Sequence, residues 1–405
     1  MNKTFDAVFI ANGAGELYAY VRPVIEKLVT SSPEARITIV ITPCQYATGK
    51  EAEVAEGFPN VSRVITTKEY TRWLFTGKAP KGISFSKEGV IIFMGGDLFH
   101  AVFLSKKLKH EIIAYVHSRI AWKKRIKLFM VPDARSAKKF SKSLPPKKLK
   151  IVGDLMVDSV KTALGKEETG KLLGLNREDP IILFLPGSRS YLVRGMVPIY
   201  IKIGESLRKL NPKIQMIIAV SPFLPKEDLN ASVKGLGNII NKNGRNYIKG
   251  ENFEFLLVDS NIFDAINISD MAVTIPGTNT GEMAALGKPM IVLFPMDKAH
   301  ILPMEGINNL IIKIPLIAPI LRRIIVRLIN RRTKYFSLPN IKAGEEIIPE
   351  IRSSIDADKT AKIIHEHLED KEWQIKTGER LKAVMGGAGA SDRIAEEILK
   401  LAKGS

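Results

Sequence analysis

Residues 180–189 read PIILFLPGSR. Ile181–Leu185 is an unbroken apolar run, and it stops at Pro186-Gly187-Ser188-Arg189. Such a run suits a strand buried on both faces, which is the usual condition in a parallel sheet covered by helices. The turn that follows carries chemistry. Gly187 lets the backbone approach a ligand closely. Ser188 adds a hydroxyl, and Arg189 adds a planar fork suited to phosphate. The turn reads as a diphosphate station, or more plainly as a strand end with an incidental arginine.

Working outward, the same pattern recurs. Downstream lie IQMIIAVS (214–221), a helix-then-strand segment NIFDAINISDMAVTI (261–275) and KPMIVLFP (288–295). Upstream lie AVFIAN (7–12), RITIVIT (36–42), GVIIFMGG (89–96), EIIAYVH (111–117) and KLFMVP (127–132), with VGDLMVDSV (152–160) closing the series. Strands alternating with amphipathic segments define an α/β protein. The 405 residues suggest two domains. The expected organisation is a Rossmann-like domain at 1–165, a second at 166–355 and a charged helical tail at 356–405 that packs back on the first domain. Two doubly wound domains would face a cleft, with ligands at the carboxyl ends of their strands.

Composition narrows the classes. Hydrophobic residues make up 45% and charged residues 25%, which fits a folded chain rather than a disordered one. The single cysteine, Cys44, excludes an intramolecular disulfide. The net charge of +19 points to anionic partners. It is concentrated: residues 106–150 hold 15 Lys/Arg against Glu111 and Asp133. A second basic stretch, IIKIPLIAPILRRIIVRLINRRTK (311–334), sets Ile320, Leu321, Ile324, Ile325 and Leu328 against interleaved arginines. That is the make-up of an interfacial helix on anionic lipid, or of a buried helix with a solvated basic face. No apolar run reaches the roughly 20 residues of a spanning helix. The first residues lack a signal-peptide core, so the expected location is cytoplasmic, peripheral on the inner membrane face. No aromatic-interleaved basic strip or recognition motif supports nucleic-acid binding.

A second motif, TIPGTNTGEMAALGKP (274–289), offers Gly277, Thr278, Asn279 and Thr280 after a strand. A helix is expected from about Gly281, with its free N–H groups favouring an anion. Glu282, in the first turn, suits a sugar's paired hydroxyls. Capping by Thr280 or Asn279 is the plainer alternative. Two such turns in one domain describe a nucleotide-sugar pocket better than either alone. No convincing His, Cys or carboxylate metal cluster is present, so no metal or cofactor is expected.

The chain resembles the lipid-A-disaccharide synthase family, glycosyltransferases of GT-B fold. The resemblance rests on AGE (14–16), GGD (95–97), YVHSRIAWKKRIK (115–127), VGDLMVDSV, LPGSR, PGTNTGEMAALGKPMIV (276–292) and YFSLPNIKAGEEIIPE (335–350). It implies inverting, metal-independent transfer of a sugar, of N-acetylglucosamine type, from a UDP-sugar to a lipid-linked acceptor. By the same resemblance Ser188 and Arg189 lie near the UDP phosphates. Thr278, Asn279, Thr280 and Glu282 form the nucleotide-sugar segment, and Ser337 and Asn340 stand near the donor. Asp97 is the candidate general base, with His117 and Glu16 as rivals. A homodimer exchanging C-terminal segments is also implied. The departures fall mostly on the acceptor side. GELYAY follows Ala14 where the family has a serine and an aspartate, LFHAVF follows Asp97, and no acid follows LPGSR. Three alternatives remain: a different glycolipid acceptor, a UDP-sugar epimerase, and an inactive homologue that binds UDP-sugar or membrane.

Overall fold

A computed structural model of the chain describes residues 4–44, 49–221, 224–296 and 330–402. It divides into two compact units. Unit 1 is Met1–Val160 with Gly386–Ser405, and unit 2 is Lys161–Met385.

Unit 1 is built on seven strands: β1 (Asp6–Ala11), β2 (Arg36–Ile41), β3 (Val61–Ile65), β4 (Gly89–Phe93), β5 (Glu111–Tyr115), β6 (Leu128–Val131) and β7 (Leu149–Ile151). Their order is β3-β2-β1-β4-β5-β6-β7, and all pairings are parallel. The continuous apolar runs read from sequence are the central strands, and every residue of β1 is buried. Succession runs outward from β1 to β3 on one side and from β4 to β7 on the other. The switch point therefore lies between β1 and β4, where the strand ends leave a crevice.

The end of the chain completes this unit. Helix Ala390–Ala402 seats its apolar residues Ile394 and Ile398 in the interior. Asp158 accepts hydrogen bonds from the amides of Gly389 (2.7 Å) and Ser391 (2.6 Å) and from the Ser391 hydroxyl (2.6 Å). Arg393 donates to the Val152 carbonyl at 2.6 Å, and Glu397 pairs with Lys150 at 2.7 Å. VGDLMVDSV is thus the seat of the last helix. The tail is divided between the units: helices Ala357–Glu369 and Lys371–Met385 lie in unit 2, and the first packs along helix Ser190–Leu210.

Unit 2 holds β8 (Ile181–Leu185), β9 (Gln215–Ala219), β10 (Asn238–Lys242), β11 (Arg245–Lys249), β12 (Glu254–Val258), β13 (Met271–Thr274), β14 (Met290–Leu293) and β15 (Glu350–Ile351). Their order is β10-β11-β12-β9-β8-β13-β14-β15. From β12 to β15 the sheet is parallel, but β10 and β11 add an antiparallel hairpin at one edge, a departure from the wholly parallel sheet expected. The hairpin turns through Asn243 and Gly244, both at positive φ (52° and 77°). Asn-Gly is the pair that a two-residue turn of this kind selects, so NKNGR (241–245) carried the signal. Phe184, Tyr200 and Phe255 interlock in the core, with rings 5.2 and 5.3 Å apart. Here the switch point falls between β8 and β13.

No described helix is long and apolar enough to cross a membrane. Within the basic stretch 311–334, residues 311–329 lie outside the described residues.

Candidate functional site

β8 and β13 are parallel neighbours in register, Leu185 opposite Thr274. Pro186-Gly187-Ser188-Arg189 and Ile275-Pro276-Gly277-Thr278 therefore leave the sheet side by side. The Tyr200 hydroxyl donates to the Leu185 carbonyl at 3.0 Å, tying helix Ser190–Leu210 to the end of β8. Gly187 has φ +93°, and an added Cβ would lie 2.9 Å from Leu192 Cδ1 and 3.1 Å from Ile275 Cδ1. Only glycine meets both constraints. Gly187→Ala is expected to cost about 1–3 kcal/mol and to displace Ser188 and Arg189, read as a lower Tm together with weaker nucleotide binding.

Ser188 is exposed, and Arg189 donates from Nη1 to the Tyr191 hydroxyl at 3.1 Å. An acid does reach this helix start, though not from the sequence that follows LPGSR. Asp228 accepts from Arg194 Nε at 2.9 Å, and hydrogen bonds from Ser190 and Arg194 hold its carboxyl below the usual range. The second helix begins at Thr278, three residues earlier than expected, which puts Glu282 in its second turn. Thr278 and Gly277 are exposed. Asn279 Nδ2 donates to Thr274 Oγ1 at 2.5 Å, bracing the turn against the strand end. Among the described residues the Glu282 carboxylate has no hydrogen-bond partner, and burial pushes its pKa up to about 7.

Thr280, Ser337 and Asn340 are wholly buried, and they hydrogen-bond within unit 2. Thr280 Oγ1 donates to the Gly277 carbonyl (2.8 Å) and accepts from the Leu338 amide (3.1 Å), joining the second turn to SLPN. Asn340 Oδ1 accepts from the amides of Ile347 (2.8 Å) and Ile348 (3.1 Å). Its Nδ2 donates to the Ile348 carbonyl (2.9 Å) and to Glu350 (3.0 Å). Ser337 Oγ donates to Glu350 at 2.7 Å. Burial pushes the Glu350 carboxyl up, but bonds from Ser337, Phe336 and Arg352 outweigh that and hold it below its ordinary value. Glu350 is the hub here. It closes the motif YFSLPNIKAGEEIIPE (335–350), in which the sequence reading gives it no role of its own.

In unit 1 the three candidate acids and bases also sit at strand carboxyl ends. Asp97 follows β4, is exposed, and caps helix Leu98–Leu108 by accepting from the Phe99 amide at 2.7 Å. His117 follows β5, is exposed, and stacks on Tyr20 at 5.4 Å, with the Tyr115 ring edge-on at 4.8 Å. Glu16 lies at the switch point. It accepts from the Asn12 amide at 3.1 Å, and burial pushes its pKa up to about 7. Gly95 makes the room: a Cβ there would fall 1.9 Å from Glu16 Oε2. Asn12, Gly95 and Gly96 thus join the candidate site. Among the described residues no three His, Cys, Asp or Glu side chains gather to hold a metal.

Two parallel-sheet α/β units, each with polar turns at its switch point, define a GT-B-type protein. A family model described as lipid-A-disaccharide synthetase matches residues 138–326, a span that includes both unit 2 turns but not Glu16, Asp97 or SLPN. The lipid-A-disaccharide synthase of Geobacter sulfurreducens is 24% identical over 254 residues, covering 62% of this chain and 56% of that protein. The one from Hydrogenovibrio crunogenus is 27% identical over 257 residues, covering 63% and 59%. The chain is thus similar to the lipid-A-disaccharide synthases across its middle, and the matches span under three fifths of those relatives' length. In fold, it is similar to the UDP-GlcNAc 2-epimerase from Neisseria meningitidis bound to UDP-GlcNAc, with a TM-score of 0.60, 14% identity, and 98% and 100% of the two chains covered. It is also similar to Anabaena HepE in complex with UDP and glucose, with a TM-score of 0.52, 13% identity and 98% of each chain covered.

Proposed function

We propose that the protein transfers a sugar, of N-acetylglucosamine type, from a UDP-sugar to a lipid-linked acceptor, with inversion and without a metal. The paired turns at the ends of β8 and β13 carry this reading. They place a guanidinium, two exposed hydroxyls and a carboxylate at one switch point. Arg189, Ser188 and the first amides of helix Ser190–Leu210 would hold the diphosphate. Thr278 and Glu282 would take sugar hydroxyls. Thr280, Ser337 and Asn340 position these groups from beneath. On the acceptor side, Glu16 is the better base. Its carboxyl is desolvated and poised near neutrality, whereas that of Asp97 is exposed and engaged as a helix cap. In such a transfer the acceptor oxygen attacks the anomeric carbon, its proton passes to a base, for which Glu16 is the candidate within unit 1, and the bond to the diphosphate breaks. UDP leaves with its charge met by Arg189.

Calorimetry with UDP and UDP-sugars tests the donor half. The wild type should bind, and Arg189→Ala should weaken binding by about tenfold to a hundredfold, the loss of a charge-assisted contact. If no UDP-sugar binds the wild type, the transferase reading fails. Binding followed by epimerised sugar rather than transfer would replace it with an epimerase.

A further inference from the structure

Beyond His117, the basic segment 106–150 contains one turn, residues 118–127, to which the proposed donor and acceptor roles assign nothing. Between β5 and β6 no helix forms. Instead residues 116–127 pass over the sheet, anchored by buried Ile126 and by Ile120 packed on the core. The turn is built. The amides of Arg125 (2.7 Å) and Ile126 (3.2 Å) both donate to the Trp122 carbonyl. Lys148 Nζ donates to the carbonyls of Lys123 and Ile126, each at 2.8 Å, and Lys139 Nζ donates to that of Ser118 at 2.9 Å. Two lysines are thus spent holding the loop in shape.

The loop presents Trp122, 47% exposed, with Arg119, Lys123, Lys124 and Arg125 all exposed around it. Among the described residues none of these four cations pairs with an acid. Both acids of the segment are engaged elsewhere: Glu111 pairs with Lys127, and Asp133 caps helix Ala134–Ser141. Trp122 also sits at φ +53°, a region that disfavours bulky side chains. Packing does not explain a large indole held in water on a strained backbone. An amphipathic ring ringed by unpaired cations is, however, what the headgroup layer of an anionic bilayer takes up.

We propose that the Trp122 turn is a membrane anchor, inserting the indole at headgroup depth while Arg119, Lys123, Lys124 and Arg125 meet anionic lipid phosphates. This deepens the lipid-linked acceptor reading by naming the surface that would bring the enzyme to its acceptor. The test is co-sedimentation of the full chain with phosphatidylglycerol-containing vesicles. Trp122→Gly should reduce binding at least about tenfold while leaving Tm equal or higher, because glycine relieves the positive φ. Lys123→Gln with Lys124→Gln and Arg125→Gln should reduce binding at least as much and remove most of its salt dependence. Vesicles of phosphatidylcholine alone should bind weakly. Unchanged vesicle binding in both variants would overturn the proposal. So would loss of binding only alongside a fall in Tm, or preferential binding of the turn to an oligonucleotide. UDP calorimetry on the same variants should be unaffected, so failure here and failure of the donor reading are separable.

Discussion

Replacing Glu16 by glutamine is expected to lower turnover by about a hundredfold or more, the usual contribution of a positioned general base, with UDP-sugar binding unchanged. Two pH signatures separate this from simple damage. Turnover of the wild type should rise with pH through about 7, where the Glu16 carboxyl ionises, and the variant should lose that limb. Stability should move the other way. The folded-state pKa, about 7, lies above the ordinary 4.5, so between these values the folded chain keeps a proton that the unfolded chain has lost. The carboxyl therefore contributes most below pH 4.5, and its contribution falls as pH rises to 7. Glu16→Gln should be nearly neutral at pH 5 and stabilising at pH 8. A slow variant that is also less stable at pH 8 would count against Glu16 as the base. Glu282 has a similar shift, but its loss should appear in the KM for the UDP-sugar.

Asn340→Ala should be the most destabilising single change among the candidate residues, by about 3–5 kcal/mol. It would leave two amides, a carbonyl and part of the Glu350 carboxylate without partners in a dry interior. Denaturant titration would read this as a lower midpoint at similar slope. Ser337→Ala removes one bond to the same carboxylate and should cost about 1.5–3 kcal/mol. If Asn340→Ala were neutral in stability yet abolished UDP-sugar binding, the side chain would be a ligand rather than a frame.

That distinction marks where reading the sequence stopped. Long apolar runs such as Ile181–Leu185 announce themselves because a doubly covered strand needs no polar residue. β3, VSRVI, did not, because half of it faces water, and β15 is only two residues long. LPGSR and PGTNTGE were legible as turns at strand ends, since glycine and hydroxyls follow an apolar run for a local reason. That the two turns are neighbours follows from strand order. SLPN looked like ligand chemistry because an asparagine's letter does not say whether its amide faces solvent or two backbone amides. Glu16 stands in the sequence only as a rival to Asp97 for a similar reason: the room for its buried carboxyl depends on the absence of a Cβ at Gly95, far away in sequence.

The division of unit 1 into two stretches bears on how the molecule is made. Asp158, Val152 and Lys150 leave the ribosome early, and their partners Gly389, Ser391, Arg393 and Glu397 emerge only after all of unit 2 has been synthesised. Unit 2 is continuous and can fold while the chain is still growing. Unit 1 must wait, its groove for helix Ala390–Ala402 open to water, until synthesis reaches that helix. A chain ending after Met385 would keep every residue assigned to the sugar nucleotide and still leave the partner unit permanently unfinished.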